Sequence, residues 1–269
     1  MKVAIMDGMI AGESIAQKFE KAAGYGFDGI EVWVGNDSNL GEIEREVKQS
    51  ARSTGLDVLQ VVVLSEPWYS PIKNNKGVQD KIAAQKVCIE LSANVGGHFS
   101  QIVPEYGPQF VPLAAMSSIS PEEEKYFLEF LADSADFASQ FNLLLVVDVI
   151  NRYETRYYRR LGDLPEVLAE LQKPNVKAIA DFFHMSLEEP DTEKAIETAG
   201  KLIGQVHLAD NNRSLPGDGN IDFESGFRSL KKIGYDGYMS FEAQGDFISD
   251  PDTQLPLAVK YVREAWNRD

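Results

Sequence analysis

The chain has 269 residues, 43% of them hydrophobic, and its 42 acidic against 26 basic residues leave a formal net charge of −16. That size predicts a single domain, residues 1–269, with enough apolar content for a sizeable core. The charge speaks against nucleic acid and anionic membranes as partners, because a phosphate backbone wants a basic track, and no apolar run approaches the ~20 residues of a membrane-spanning helix.

The start, Met1-Lys2-Val3-Ala4-Ile5-Met6, meets Asp7 too early for a signal peptide, so a cytoplasmic location is expected. Short β-branched runs then alternate with amphipathic stretches along the whole chain. Residues 3–6 read as a first strand and about 13–24 as the helix after it. Strand 29–33 carries Glu31, which faces either the barrel mouth or a salt-bridge partner. A helix at about 40–54 leads to strand 58–64, and the next helix, about 78–93, carries the only cysteine, Cys88, read as buried core. His98 opens strand 99–103 at its N-terminal end. The helix at about 121–140 begins with Ser120, Pro121 and Glu123, which supply N-cap, first-turn and capping-box chemistry in order. Strand 143–149, helix 164–171, strand 178–181, helix 192–199, strand 205–208, helix 223–232, strand 238–242 and helix 254–266 complete the pattern. Gly24, Gly26 and Gly55 stand where left-handed helix C-caps belong, and the charge run 191–197 reads as a solvated helix face.

Eight strands alternating with helices close most naturally into a single (β/α)₈ TIM barrel. The rival, an open doubly wound sheet, lacks its glycine-rich turn after a strand. Loops 65–77 and 104–119 both follow strands, which places them over the face where such barrels do chemistry.

Strands five to eight each carry, at or near their ends, a polar residue that a buried strand would not choose for packing: Asp148, Asp181, His207 and Glu242. Singly, each has a structural reading as a turn cap or a hydrogen-bonded histidine. Together they converge on one end of a barrel, where ionisable groups are costly unless paired or coordinated. Three carboxylates and one imidazole suit a hard or borderline divalent ion, Mn²⁺ first and Mg²⁺ or Co²⁺ as alternatives.

Three motifs surround these positions: Asn151-Arg152-Tyr153-Glu154-Thr155; Asp181-Phe182-Phe183-His184-Met185-Ser186-Leu187-Glu188-Glu189; and His207-Leu208-Ala209-Asp210-Asn211-Asn212-Arg213 with Pro216-Gly217-Asp218-Gly219. They resemble those of the ketose 3-epimerases, the D-tagatose and D-psicose 3-epimerases of the xylose-isomerase-like barrel superfamily. The specific motifs cover roughly residues 143–245, while the first half agrees mainly in its strand and helix pattern. The resemblance implies that Asp148, Asp181, His207 and Glu242 hold the metal, and that Glu154, His184 and Arg213 hold the C1 to C3 oxygens of a sugar. It also implies a homodimer or homotetramer. One departure concerns chemistry: the family usually has glutamate where Asp148 stands. Aspartate is one methylene shorter, and misplacing a catalytic group by ~1 Å can cost on the order of 100-fold in rate. Phe182 and Ser186 replace a usual threonine and asparagine, which predicts an altered pocket wall.

The implied chemistry is C3 epimerisation of a ketose through an enediolate, with Asp148 and Glu242 as the acid/base pair, Arg213 on the developing negative charge and His184 on a hydroxyl. Trp33, Trp68 and Tyr69 either stack on the sugar or simply pack. Loop 243–252 carries three aspartates and no Lys or Arg, so a free sugar is expected rather than a phosphorylated one. The alternatives are an aldose-ketose isomerase resembling hydroxypyruvate isomerase, an inosose-type dehydratase, and a non-catalytic sugar-binding protein, this last kept open by Asp148. The apurinic endonucleases of the same superfamily need a cluster of histidines for three zinc ions, and this chain has only three histidines.

Overall fold

The computed structural model describes residues 1–106, 114–244 and 248–268. Its strands are β1 (Lys2–Met6), β2 (Gly29–Gly35), β3 (Asp57–Leu64), β4 (Phe99–Ile102), β5 (Leu144–Asp148), β6 (Val176–Asp181), β7 (Ile203–Leu208) and β8 (Tyr238–Phe241). They form one eight-stranded sheet in the order β3-β2-β1-β8-β7-β6-β5-β4, and each ladder described is parallel. The pairing of β1 with β8 joins the two ends of the chain, so the expected TIM barrel is what forms.

Between β3 and β4 no ladder is described, and glutamine side chains together with one main-chain bond span the gap. The Gln101 main-chain N–H donates to Gln60 Oε1 at 2.7 Å, Gln60 Nε2 donates to Gln101 Oε1 at 3.1 Å, and the His98 N–H donates to the Leu59 carbonyl at 2.8 Å. A glutamine can do this because its amide copies the donor and acceptor of a peptide group.

The helices are α1 (Ile15–Tyr25), α2 (Leu40–Thr54), α3 (Glu66–Tyr69), α4 (Asn75–Asn94), α5 (Pro121–Ser139), α6 (Leu164–Leu171), α7 (Phe182–Glu188), α8 (Thr192–Ala199), α9 (Phe223–Lys232) and α10 (Pro251–Asn267). The capping box forms as expected, with Ser120 Oγ accepting the Glu123 N–H at 3.2 Å and Glu123 accepting the Ser120 N–H at 2.9 Å. Gly26 and Gly55 are left-handed caps at φ 90° and 76°. Gly24 is not a cap, because α1 runs one residue past it before the chain turns. Among the described residues no helix is long and apolar enough to cross a membrane. Cys88 is fully buried, as expected.

Strand alternation then sorts the barrel interior from the N-terminal end upward. Ala4, Leu59, Phe99, Val146, Ile179 and Tyr238 form an apolar plug. His98 packs its ring on Tyr238 at this end, 5.4 Å between centroids, away from the opposite face. Advancing two residues from four plug positions gives Gln101, Asp148, Asp181 and Ser240, all buried. Buried Glu31, Gln60 and Gln205 join them. The result is a polar storey on an apolar foundation, at the end where the strands finish.

Candidate active site

Three of the expected carboxylates meet. Asp148, Asp181 and Glu242, together with His184, each offer a ligand atom, and these atoms lie within 4.8 Å of one another. Asp148 closes β5 and Asp181 closes β6, while Glu242 is the first residue past β8, its N–H donating to the Leu208 carbonyl at 3.1 Å. His207, on β7, is fully buried behind them with Nδ1 3.3 Å from Glu242 Oε2 and Nε2 3.8 Å from Glu31 Oε1.

The spacing of three between Asp181 and His184 has a local cause. Asp181 is the N-cap of α7, and its Oδ1 accepts the N–H groups of Phe183 at 2.7 Å and His184 at 3.3 Å. Oδ2 is thereby turned toward the cluster, where Arg213 meets it, and His184 is set in the first turn of the helix. Nδ1 of His184 accepts the Asn151 main-chain N–H at 3.3 Å. A main-chain N–H can only donate, so in the neutral ring the proton rests on Nε2, 3.6 Å from Asp181 Oδ2. Burial holds His184 neutral, lowering its pKa to about 4. In that tautomer Nε2 carries a proton toward Asp181, so the neutral ring presents a hydrogen-bond donor there.

His207 is the opposite case. Beyond its contacts with Glu242 and Glu31, neither of its ring nitrogens makes a well-formed hydrogen bond among the described residues, and Asp148 Oδ1 makes none. Buried polar atoms left open cost free energy unless something coordinates them. Carboxylate oxygens and imidazole are the donor set that a hard or borderline cation takes, so the residues present fit one.

Arg213 reaches into the cluster, with Nη1 3.2 Å from Asp181 Oδ2 and Nη2 2.8 Å from Glu242 Oε2, and its guanidinium lies 4.4 Å from the centre of the Phe183 ring. Its backbone is left-handed at φ 63°, a conformation that costs of order 1–3 kcal/mol outside glycine and gathers at functional sites. Asp210, which stands in the third motif without an assigned role, holds that loop in shape. Its Oδ1 accepts the N–H of Asn211 at 2.9 Å and of Ile221 at 3.0 Å, and its Oδ2 accepts the Gly217 N–H at 3.0 Å. Glu154, 4% exposed, accepts from Asn151 Nδ2 at 3.0 Å.

The electrostatics divide the carboxyls. Burial, reinforced by Glu242, pushes Asp148 well above the usual carboxylate range. Burial acts on Glu242 in the same sense, but Arg213 and His207 outweigh it and hold Glu242 well below that range. For His207 burial lowers the pKa, while Glu242, Glu31 and Asp148 prevail and raise it to about 10.

Beneath the cluster runs a chain of hydrogen bonds that sequence reasoning missed apart from Glu31. Gln101 Nε2 donates to Asp148 Oδ2 at 3.0 Å, Gln60 Nε2 donates to Glu31 Oε2 at 2.7 Å, and Gln205 Nε2 donates to Glu31 Oε1 at 3.2 Å and to Ser240 Oγ at 2.8 Å. The one available signal was a glutamine in the interior of each of the strands β3, β4 and β7. Glu31 thus takes the hydrogen-bonded role inside the barrel.

Above the cluster opens a cavity of about 850 Å³, whose walls include Trp33, Trp68, Tyr69, Tyr106, Glu154, Phe183, His184 and Arg213. Phe182 and Ser186 are not in its lining. Phe182 instead stacks on Phe223, 5.4 Å between centroids, in the layer under α9, so the expected change of pocket wall does not arise there. Loops 104–119 and 243–252 reach this face, but residues 107–113 and 245–247, Asp246 among them, lie outside the described residues.

The family model of the xylose isomerase-like TIM barrel matches residues 19–265. Over 250 residues the chain is 28% identical to a 3-dehydro-D-guloside 4-epimerase of Escherichia coli (strain K12), covering 91% of this chain and 92% of that protein. It is 35% identical over 133 residues to an L-ribulose 3-epimerase of Methylomonas sp. (strain DH-1), a match spanning 49% of this chain and 46% of the other. Among solved structures, a D-psicose 3-epimerase with D-tagatose from Clostridium cellulolyticum H10 superposes with a TM-score of 0.84 at 20% identity over the whole of both chains, a likeness of fold. A 3-keto-D-glucoside 4-epimerase from E. coli gives 0.82 at 25% identity, covering 98% of this chain and 99% of that one.

Proposed function

The chain belongs to the xylose isomerase-like TIM barrel family, and from that premise we propose that it is a metal-dependent sugar epimerase. Its reaction is inversion of a CH–OH carbon next to a ketone, through an enediolate. The reading rests on one observation above all: the convergence of Asp148, Asp181 and Glu242 at the floor of a cavity large enough for a sugar.

We assign one divalent cation, Mn²⁺ by preference, to Asp148, Asp181, Glu242 and His207. When bound it would polarise the ketone and so acidify the neighbouring C–H. Of Asp148 and Glu242, one carboxylate takes the proton from that carbon, the C–H electrons becoming the C=C bond of the enediolate. The other delivers a proton to the opposite face of the same carbon, restoring the ketone with the configuration inverted. Arg213 swings its guanidinium from Asp181 and Glu242 to the developing oxyanion. His184 donates its Nε2–H to a sugar hydroxyl, and Glu154 accepts from another.

The sugar is unphosphorylated, and C3 of a ketose is the position that the motif resemblance favours. A second reading moves the same chemistry to C4 of a 3-keto sugar. It is favoured by the near full-length match to the 3-dehydro-D-guloside 4-epimerase. Incubating the Mn²⁺-loaded protein in deuterated water with D-psicose, D-tagatose and a 3-keto-D-glucoside, and reading deuterium by NMR, tests both. Label at C3 of the ketoses supports the first, label at C4 of the keto-glucoside the second, and label nowhere overturns epimerisation.

A further inference from the structure

The cavity is larger than a free ketose requires. Even if each of the twelve non-hydrogen atoms of a ketohexose took the roughly 30 Å³ that a water occupies in the liquid, the sugar would fill less than half of the 850 Å³. The exposed lining carries polar side chains, Asn211, Asn212 and Gln244, and beside them an apolar group. Of the six large hydrophobic side chains that are exposed among the described residues, three border this one cavity: Leu64, Tyr69 and Tyr106, at 42%, 38% and 52% exposure. Such residues scattered singly mean little, whereas three at one cavity rim make a binding surface.

The rim is also built rather than loose. The Tyr106 N–H donates to the Tyr69 carbonyl at 2.9 Å, so the segments after β3 and β4 are tied where their exposed tyrosines stand. Below Tyr69, Trp68 is buried edge-on against Trp33, 5.6 Å between centroids at 90°. From beneath, buried Lys81 donates to the carbonyls of Trp68 at 2.6 Å and Ser70 at 3.1 Å, anchoring both ends of the turn that carries Tyr69. The rim adjoins the reacting groups, since Tyr106, Glu154, Arg213 and Glu242 line the same cavity.

From these observations we propose that Leu64, Tyr69 and Tyr106 form a subsite for a second ring, and that the physiological substrate is a keto-glycoside whose aglycone seats there. The inference rests on the epimerase reading for the placement of the keto sugar itself. Aromatic faces suit this occupant because a sugar or phenyl ring offers a flat apolar surface, and tyrosine presents area with little conformational entropy to lose. A free ketose leaves the shelf empty, and its binding draws nothing from it.

Binding and exchange are read separately. Dissociation constants for the methyl and phenyl 3-keto-D-glucosides are measured by calorimetry on the Mn²⁺-loaded protein, and solvent deuterium incorporation is followed in parallel. The expected result is that the phenyl glycoside binds at least ~10-fold more tightly than the methyl one, the gain that burial of an aromatic ring provides, and that Tyr69→Ala and Tyr106→Ala bring this ratio toward one. A ratio near one in the unaltered protein, or a ratio that neither variant changes, overturns the subsite. Absence of deuterium uptake from any sugar, with the binding ratio intact, overturns the epimerase reading and leaves the subsite standing.

Discussion

Arg213 and Glu242 are joined by a 2.8 Å ion pair inside the carboxylate cluster, and the same guanidinium reaches Asp181 at 3.2 Å. Arg213 therefore neutralises two of the three acids that we assign to a cation. Removing it strips buried carboxylates of their main counter-charge, a loss of about 3–5 kcal/mol for a buried pair. Arg213→Met is accordingly expected to lower the melting temperature of the metal-stripped protein and to enlarge the rise in melting temperature that Mn²⁺ produces. Thermal unfolding with and without Mn²⁺ measures both, and a smaller Mn²⁺ effect in the variant contradicts the shared occupancy of the cluster.

Asp148 reaches the cluster in spite of its short side chain, and Gln101 holds its Oδ2 at 3.0 Å. The site is thus fitted to aspartate. Asp148→Glu pushes a carboxylate about 1 Å further into a buried space, so turnover is expected to fall by ~10- to 100-fold. Steady-state kinetics on the accepted sugar decide the matter. A rise in kcat would show that the aspartate is a compromised ligand.

Lys81 is buried, and burial lowers its pKa from 10.5 to about 7. Between these two values the unfolded chain holds a proton that the folded one lacks, so this group's contribution to stability grows as pH rises from about 7 toward 10.5. His207, raised to about 10, works in the opposite sense across much of the same window. The informative quantity is therefore the difference between the unaltered protein and Lys81→Met. Urea unfolding at pH 7 and pH 9.5 is expected to show stability rising more, or falling less, in the unaltered protein. Identical pH responses would mean that Lys81 is charged in its buried position.

Gly226, on α9, makes room for Phe182. A methyl group added there would overlap the ring edge of Phe182, which is fully packed against Phe223 and Phe227. Gly226→Ala is expected to destabilise by about 1–3 kcal/mol, the range for overpacking a core, while Mn²⁺ affinity stays the same. Chemical denaturation measures the first and calorimetry the second. A neutral effect would mean that α9 can shift outward without loss.

Much of the barrel was legible because parallel strands buried on both faces are short, β-branched and regularly spaced, as residues 58–64 and 143–149 illustrate. The two short helices were not. α3 has four residues and α7 has seven, too few for a helical period to declare itself, and α7 starts at the residue directly after the end of β6. Convergence of the three acids was legible from their shared position at strand ends. The different environments of the two histidines were not, since they depend on an Asn151 N–H that lies 33 positions from His184 in the chain. The glutamine layer escaped notice for a similar reason. Its worth lies in side-chain contacts across the barrel, such as Gln60 to Gln101, that period-two reasoning within one strand does not reveal.

The central claim is that Asp148, Asp181, Glu242 and His207 share one cation, with His184 standing beside it as a donor. Calorimetric titration of the metal-stripped protein with Mn²⁺, repeated on His207→Ala and His184→Ala, tests it most directly. The account predicts one ion per chain, bound at least ~10-fold more weakly without His207 and with little change without His184. No uptake of Mn²⁺, or a loss caused by His184→Ala and not by His207→Ala, would contradict it.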